Sequence, residues 1–413
     1  MIKRHFTKRL QTLLKTFPIV CIMGPRQSGK TTFIRTALPR WQYLDLEKPS
    51  DYIRLSGDPE DAIKRLKQHF ILDEAQILPS LFPLLRSFVD LNRRKKGQMV
   101  ILGSASLTLI KQISETLAGR AGFLDITPFN WNEVQGRRKA ALDILWYRGG
   151  FPDAFLAQSD KARIDWFDAY TRTFIERDLT ALGIIISAPQ MRKLWAMLAH
   201  TNGAIWNASQ IASSMGVSFH TVNRYTDILE QTFLIRKLPP FFANIGKRVI
   251  KSPKVYFRDT GLLHYFLGIH EAKSLSINPY RGASWEGFVI EQVISAFQLF
   301  SPGFQAFYWR TAAGAEADLL IKKGERLIPF EIKLHSAPSK RDVPGLISCM
   351  KDLNLDKGYV LYPGEVEYSI GGGITVLSTE AILAKPQRFL KLSEKVSRNV
   401  KVIKPSGISY TEG

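Results

Sequence analysis

The chain has 413 residues, of which 45% are hydrophobic and 23% are charged, and this composition is typical of a globular protein with about two to four domains. No apolar run reaches the roughly 18 residues that a membrane span requires, and we expect no contact with a membrane. The two cysteines lack metal-ligating neighbours and predict a reducing, cytoplasmic setting. The formal net charge of +20 indicates a surface that binds a polyanion, most often nucleic acid.

A glycine-rich loop near the N-terminus fits the pattern G-x-x-x-x-G-K-[ST]. An apolar segment at 17–23 precedes it and predicts a buried strand, and a helix is expected to follow. Backbone N–H groups of such a loop face the phosphates of a nucleotide, here ATP. We expect Lys30 to contact the β- and γ-phosphates and Thr31 to hold Mg²⁺. The candidate ATP-binding residues are Gly24, Pro25, Arg26, Gln27, Ser28, Gly29, Lys30, Thr31 and Thr32.

The segment 69–74 predicts a second strand that ends in two acids, Asp73 and Glu74. Ligands of α/β proteins bind at the carboxyl edge of the sheet, where these carboxylates would lie. We expect Asp73 to contact Mg²⁺ and Glu74 to orient the attacking water, so the predicted reaction is hydrolysis at the γ-phosphate.

Residues 1–145 predict an α/β domain with a parallel sheet, because strand-like and helical segments alternate. After the strand at 99–103, Ser104 is a candidate to sense the γ-phosphate or to position the attacking water. Arg120 is a candidate arginine finger acting on the nucleotide of a neighbouring subunit, or else a plain surface arginine. A finger in trans requires a homo-oligomer, for which a hexameric ring is the usual arrangement. The predicted strands are 17–23, 43–47, 69–73, 99–103 and 122–126.

Residues 146–190 predict a helical linker that begins at a Gly-Gly-Phe-Pro turn. A long helix would run through the segment 174–179. Within it we expect Arg177 and Asp178 to form a structural ion pair rather than a functional site.

Residues 191–272 predict a winged-helix domain. Asn207 and Ser218 are expected to cap two helices around a turn at Gly216, and 233–238 predicts a wing strand. A recognition helix would present base- and phosphate-contacting groups to DNA, although winged helices also serve as protein-contact modules. The candidate DNA-binding residues are His220, Thr221, Asn223 and Arg224.

Residues 273–390 contain a second set of candidate site residues, and 391–413 predict a flexible tail. Asp318 lies on one predicted strand, while Glu331 and Lys333 alternate onto the same face of the next. Asp318 and Glu331 would share a divalent metal, Lys333 would polarise a water or the scissile phosphate, and Glu286 would approach from a helix. This layout is typical of metal-assisted phosphodiester cleavage, although an inactive remnant of such a fold would have the same residues.

Together, these motifs resemble a widespread bacterial and archaeal ATPase family that joins an AAA-type N-terminal domain to a C-terminal domain of unknown function. The resemblance covers roughly residues 5–385 and implies an AAA+-like nucleotide-binding fold. The C-terminal part resembles the PD-(D/E)xK nuclease fold, with Glu286, Asp318, Glu331 and Lys333 on its motif, although no proline precedes Asp318. The motifs occur in the order GPRQSGKTT, ILDEAQ, LGSAS, LAGR, GGFP, FIERDL, WEGFVIEQ, WRTAAGAEADLLI and FEIKL.

Three functions are compatible with this sequence. The first is a DNA-dependent ATPase that acts on duplex or branched DNA in repair, recombination or defence. The second is an ATP-regulated, metal-dependent nuclease. The third is a nucleotide switch whose partner is a protein, with the basic charge incidental. Three basic clusters favour a nucleic-acid partner, at 93–96, 137–139 and 247–251.

Overall fold

The computed structural model describes residues 2–66, 69–103, 112–113, 115–136, 141–181, 186–242 and 252–391. Over these ranges, every helix is too short or too polar to cross a membrane. The basic clusters at 137–139 and 247–251 and the predicted tail from 392 onwards lie outside the described residues.

A five-stranded parallel sheet, in the order β2-β3-β4-β1-β5, forms the centre of the N-terminal unit. The prediction of a parallel α/β sheet is therefore confirmed. The strands are β1 (Ile19–Met23), β2 (Gln42–Asp45), β3 (Phe70–Asp73), β4 (Met99–Leu102) and β5 (Ala121–Asp125). The helices are α1 (Thr7–Thr16), α2 (Lys30–Ala37), α3 (Pro49–Ser56), α4 (Pro59–Arg65), α5 (Leu81–Leu91) and α6 (Trp131–Val134).

Strand β1 lies inside this sheet and is buried on both faces. Ile19, Cys21 and Met23 pack into one apolar layer, while Val20 and Ile22 pack into the layer on the opposite face. A strand covered on both faces is a nearly continuous apolar run, which is why the sequence predicted it correctly.

The middle segment, residues 141–277, is mainly helical. Its helices are α7 (Ala141–Arg148), α8 (Pro152–Leu156), α9 (Asp160–Thr173), α10 (Ala188–His200), α11 (Ala208–Met215), α12 (Phe219–Gln231), α13 (Thr260–Phe266) and α14 (Ala272–Ile277). Two antiparallel strands, β6 (Ile235–Leu238) and β7 (Lys254–Phe257), pair with each other. A π-helical turn, Phe174–Asp178, and a final turn, Leu179–Ala181, continue α9.

The predicted linker and the predicted winged-helix region share one apolar core. Phe174 of the linker packs on Trp195 of α10 with ring centroids 5.3 Å apart. Leu229 of α12 and Val255 of β7 belong to the same core. The structure therefore differs from the predicted division, because the linker is part of the packed unit that follows it.

Helices α11 and α12 have the predicted N-terminal caps, and the turn between them lies at Gly216, as predicted. The Asn207 side chain accepts a hydrogen bond from the Gln210 N–H, and the Ser218 hydroxyl accepts one from the Thr221 N–H. Gly216 ends α11 with φ +68°. Strand β6 begins at Ile235 rather than at Phe233, whose φ of +62° places it in a turn.

The C-terminal unit contains a six-stranded mixed sheet in the order β12-β13-β11-β10-β9-β8. Helix α15 covers one face of this sheet and α16 covers the other. The strands are β8 (Gln305–Arg310), β9 (Glu316–Lys323), β10 (Arg326–Ile332), β11 (Gly358–Tyr362), β12 (Tyr368–Gly371) and β13 (Ile374–Ser378). The helices are α15 (Arg281–Phe300), α16 (Pro344–Asp352), α17 (Thr379–Ala384) and α18 (Gln387–Lys391).

A buried carboxylate, Asp259, attaches the Gly-Gly-Phe-Pro turn to helix α13. It accepts hydrogen bonds from the Gly150 N–H at 2.7 Å and from the Leu262 N–H at 2.9 Å. Gly149 has φ +77°, and a Cβ atom there would lie 2.2 Å from Asp259 Oδ1. Burial raises the pKa of Asp259 to about 6. The close approach of this carboxylate therefore requires glycine at 149, whereas at Gly150 a Cβ atom would lie 2.3 Å from the Phe129 carbonyl oxygen.

Candidate nucleotide site and acidic cluster

The phosphate loop connects the end of β1 to the start of α2, as the motif predicts. Gly24 has φ +154°, and a Cβ atom there would lie 2.1 Å from the Ile126 carbonyl oxygen. Gly29 has φ +85° and immediately precedes Lys30, the first residue of α2. Both positions therefore need glycine, and the loop presents the N-terminus of a helix at the carboxyl edge of the sheet.

Arg4, which the sequence did not single out, supports this loop from behind. Its guanidinium donates to the Ser28 carbonyl at 2.7 Å and to the Glu133 carboxylate at 2.8 Å. The Arg4 side chain is nearly fully buried, and an ion pair buried with its hydrogen bonds made holds its neighbours in one geometry. A basic residue near a chain terminus carries no sequence signal for this role.

The Lys30 ammonium lies inside the loop. Its Nζ donates to the Gly24 carbonyl at 3.1 Å and to the Pro25 carbonyl at 2.9 Å, and the residue is 7% exposed. Burial lowers the pKa of Lys30 to about 8, against the opposing negative charges of Glu74 and Asp73. The ammonium thus lies within the loop that would hold the phosphates, and its contact with the β- and γ-phosphates stays a prediction.

Thr31 and Asp73 lie together. The Thr31 hydroxyl donates to Asp73 Oδ2 at 2.8 Å, and the Tyr43 hydroxyl donates to the same oxygen at 2.5 Å. A hydroxyl and a carboxylate are hard oxygen ligands, so this pair fits Mg²⁺. Tyr43 was missed, because only the pairing of β2 with β3 brings it to Asp73.

Glu74 follows Asp73 at the same edge, in a left-handed backbone conformation with φ +53°. Its N–H donates to Asp73 Oδ1 at 3.0 Å, and its carboxylate accepts from the Gln76 amide. An uncommon backbone conformation of this kind turns the side chain away from the strand direction and is frequent at functional sites.

The π-helical turn of the middle segment also reaches the phosphate loop. Asp178 accepts a hydrogen bond from the Arg26 guanidinium, and Arg177 donates to Glu47 at 2.5 Å. The prediction that Arg177 and Asp178 pair with each other is wrong, because the turn directs each one to a charge of the N-terminal unit. The sequence gives no indication of these partners, which lie 130 or more positions away.

Arg120 lies at the opposite, amino-terminal edge of the sheet. Its carbonyl accepts from the Ile19 N–H, and its guanidinium donates to both oxygens of Asp90 at 2.8 Å each. The finger role stays a prediction, and it would require Arg120 to leave Asp90. Ser104 lies outside the described residues.

The predicted DNA-contacting residues lie on the first turns of α12, where His220 and Arg224 are exposed. Asn223 is half-buried, and its side-chain oxygen accepts from the Trp206 indole at 2.9 Å. The Thr221 hydroxyl is within hydrogen-bond distance of the Ser218 hydroxyl, at 2.9 Å. Two of the four side chains therefore already have partners within the chain.

The four candidate nuclease residues come together in the C-terminal unit. Asp318 accepts from the Ile332 N–H at 2.8 Å on the neighbouring strand, and Lys333 donates to Glu331 at 2.8 Å. Glu286 reaches the same region from α15, where its carboxylate lies close to that of Asp318. Together with Glu316, a neighbour on β9 described below, the carboxylates of Glu286, Asp318 and Glu331 are called the acidic cluster.

Glu316 was missed by the sequence analysis. It lies two residues before Asp318 on β9, on the same face, and a period-two reading of the strand would have found it. One carboxylate oxygen from each of Glu316, Asp318 and Glu286 lies within 4.8 Å of the others.

Protons compete with cations in the acidic cluster. Burial raises the pKa of Asp318 well above its usual range, and the charges of Glu331 and Glu286 raise it further. Burial also raises the pKa of Glu331 to about 7, against the opposing charge of Lys333. Oε2 of Glu331 is buried without a hydrogen-bond partner among the described residues. This donor set fits a hard divalent cation, which would relieve the repulsion between the carboxylates.

Three family models match successive parts of the chain. Residues 16–135 match an AAA domain, residues 139–273 a domain of unknown function (DUF8612), and residues 281–382 a domain of unknown function (DUF4143). The N-terminal unit is thus an AAA-type domain. The second match spans both the predicted linker and the predicted winged helix, the two regions that share one core.

Uncharacterized protein Rv2008c of Mycobacterium tuberculosis is 41% identical to the chain over 384 residues, which are 92% of this chain and 84% of the relative. The chain belongs to the family of this protein. Uncharacterized protein MJ1544 of Methanocaldococcus jannaschii is 22% identical to the chain over 380 residues. The match covers 82% of this chain and 80% of MJ1544.

The Walker-type ATPase PABY2304 of Pyrococcus abyssi is a solved structure to which this chain is similar. It is 14% identical, with a TM-score of 0.45, and the match covers 64% of this chain and 95% of the other.

ATP binding should weaken at alkaline pH. The protonated Lys30 binds phosphate, and its pKa in the free chain is about 8, so the affinity should be constant below that pH. Above it, the affinity should fall by up to about tenfold per pH unit, because binding must then take up one proton from the solvent to charge Lys30. Fluorescent ATP-analogue titrations across this range measure the effect. Lys30→Arg, whose guanidinium stays protonated, should lose the dependence, and an equally steep decline in that variant would contradict the assignment.

Asp178→Asn should tighten ATP binding by about fivefold, because it removes the nearer of the two carboxylates that pair with Arg26 in the phosphate loop and leaves only Glu47, 3.7 Å away. The same titration at neutral pH measures the change. Asp168→Asn is the matched control, since it removes an aspartate from α9 that pairs with Arg192 instead. Equal affinities of Asp178→Asn and wild type would show that this ion pair does not act on the nucleotide.

Proposed function

We propose that the chain binds and hydrolyses ATP, and that it is a DNA-dependent ATPase acting on duplex or branched DNA in repair, recombination or defence. The observation that carries the ATPase part is the convergence of the phosphate loop, the Thr31–Asp73 hydrogen bond and Glu74 at one edge of the AAA-type sheet. Phosphoryl transfer depends on this kind of positioning and charge compensation more than on covalent chemistry.

Each residue then has a distinct task in hydrolysis. Lys30 binds the β- and γ-phosphates, and the loop N–H groups hold the phosphate chain. Thr31 and Asp73 would hold Mg²⁺, which when bound compensates the negative charge of the phosphates. Glu74 orients the attacking water and draws its proton.

The case for DNA rests on charge and on one helix. The net charge is +20, the basic run at 93–96 is exposed, and His220 and Arg224 are exposed on α12. We interpret α11, α12 and the β6–β7 pair as a winged helix, in which α12 would be the recognition helix. A homo-oligomer, with Arg120 acting across the subunit contact, completes this proposal.

DNA should stimulate ATP turnover, and the stimulation should fall steeply as salt rises, because phosphate contacts release counterions. The measurement is steady-state ATPase activity without DNA and with duplex, single-stranded and four-way-junction DNA, with Lys30→Ala as the blank. Arg224→Ala should lower the stimulation by about threefold or more without changing the DNA-free rate.

Arg65→Ala is the control, since it removes another exposed arginine, one that pairs with Asp61, from the N-terminal unit. Equal losses in the two variants would mean that only net charge matters. If no DNA form stimulates turnover at low salt, the DNA-dependent proposal fails and a nucleotide switch with a protein partner replaces it.

A second candidate function, metal-dependent DNA cleavage, is favoured by the acidic cluster. Four carboxylates and Lys333 converge there, and Glu331 Oε2 is buried without a partner among the described residues. We infer a PD-(D/E)xK-like site in which the carboxylates would hold Mg²⁺ and Lys333 would polarise the attacking water or the scissile phosphate.

Lys333→Ala should abolish DNA cutting and leave the DNA-free ATPase rate within about twofold of wild type, because the two sites lie in different units. The measurement is a gel assay with plasmid and branched DNA over a range of Mg²⁺ and Mn²⁺. Lys323→Ala, which removes a lysine of β9 that bonds Ser301, should still cut. DNA that stays intact with wild type at every metal concentration would eliminate this candidate.

A further inference from the structure

The acidic cluster already contains a cation supplied by another part of the chain. Lys254, the first residue of β7 in the middle segment, extends its ammonium to 2.9 Å from Glu286 Oε1. The same ammonium forms an ion pair with Glu316. The Lys254 side chain is 4% exposed, so both contacts are made away from water.

The approach of Lys254 is built into the packing. Its ammonium lies 5.9 Å from the ring centroids of both Tyr256 and Tyr308. The Tyr256 hydroxyl donates to Glu286 Oε1 at 2.5 Å, the oxygen that the ammonium also contacts. One strand of the middle segment therefore supplies a charge and a hydroxyl to one carboxylate oxygen of the C-terminal unit.

Two of the carboxylates that a divalent cation would use are the ones that bind Lys254. Glu286 and Glu316 are two of the three residues whose carboxylate oxygens lie within 4.8 Å of one another, and Asp318 is the third. A metal ion bound by these oxygens would stand within ion-pair distance of the ammonium. Two like charges at that separation in a buried site repel strongly, so occupancy by one disfavours the other.

The acidic cluster contains more carboxylates than paired cationic side chains, even with Lys254 in place. Glu331 Oε2 is buried and has no hydrogen-bond partner among the described residues. Its four carboxylates face three cationic side chains, Lys254, Lys333 and Arg310. The four carboxylates therefore outnumber the cationic side chains that pair with them, and either a proton or a bound cation would balance the remaining charge.

We propose that Lys254 is a built-in competitor for a divalent-cation site made by Glu286, Glu316 and Asp318, so that the metal binds only after the ammonium has left. The inference rests on the second candidate function, metal-dependent cleavage, and adds its regulation. The competitor belongs to the middle segment, so release of Lys254 from Glu286 and Glu316 would open the site to the metal.

The test is Mn²⁺ binding by the full-length, nucleotide-free chain, measured from the electron paramagnetic resonance signal of free Mn²⁺. Lys254→Met removes the charge and keeps an unbranched side chain, and it should bind one additional Mn²⁺ about tenfold or more tightly than wild type. Lys254→Arg keeps the charge and should bind as wild type does. Adding Asp318→Asn to Lys254→Met should abolish the gained site.

Each other result overturns the proposal in a distinct way. In the first, wild type and Lys254→Met bind Mn²⁺ equally, and Asp318→Asn abolishes binding in both backgrounds. That result would support the metal site but eliminate the competition by Lys254. A gained site that survives Asp318→Asn would place the metal elsewhere. No binding by either chain would remove both this proposal and the cleavage candidate. Lys254→Gln, which keeps a polar group near Glu286, is measured in parallel with circular dichroism, so that a folding defect in Lys254→Met does not decide the outcome.

Discussion

Buried charges have to be paired, and the middle segment pairs them at both chemical sites. At one end Asp178 accepts from Arg26 of the phosphate loop, and at the other Lys254 contacts Glu286 and Glu316 of the acidic cluster. An unpaired charge at the buried Lys254 would cost several kcal/mol, and one at the partly buried Asp178 less, so these contacts restrain three parts of the chain relative to one another. Neither site has its observed charge balance without the middle segment.

The two contacts originate from one packed body. Phe174, at the start of the π-helical turn that carries Asp178, packs on Trp195, and Trp195 packs on Phe266 with ring centroids 5.1 Å apart. Phe266 in turn lies 6.2 Å from Phe257 of β7, the strand that carries Lys254. A close-packed interior of this kind moves as a body more readily than it deforms. The structure thus offers a continuous physical connection between the nucleotide loop and the acidic cluster, and a measured coupling is what would make it an allosteric one.

Features that depend on residues close together in the sequence could be predicted, whereas contacts between distant residues could not. The phosphate loop and the caps at Asn207 and Ser218 depend on neighbours a few positions away, and the structure places them as expected. The partner of Arg26 and the ammonium at Glu286 depend on tertiary packing, which no local pattern encodes. Tyr43 belongs with these, since strand pairing alone brings it to Asp73. Glu316 was predictable, because strand periodicity puts it on the face of Asp318.

Equilibrium binding of a non-hydrolysable ATP analogue with Mg²⁺ shows whether the AAA-type unit of this chain is a nucleotide site. Isothermal titration calorimetry on wild type and Lys30→Ala gives both the stoichiometry and the dependence on the loop. The account predicts one nucleotide per wild-type chain and a loss of affinity of at least about a hundredfold in the variant, since a charge-assisted contact to phosphate disappears. Absence of saturable binding by the wild type, or equal binding by the variant, would contradict it.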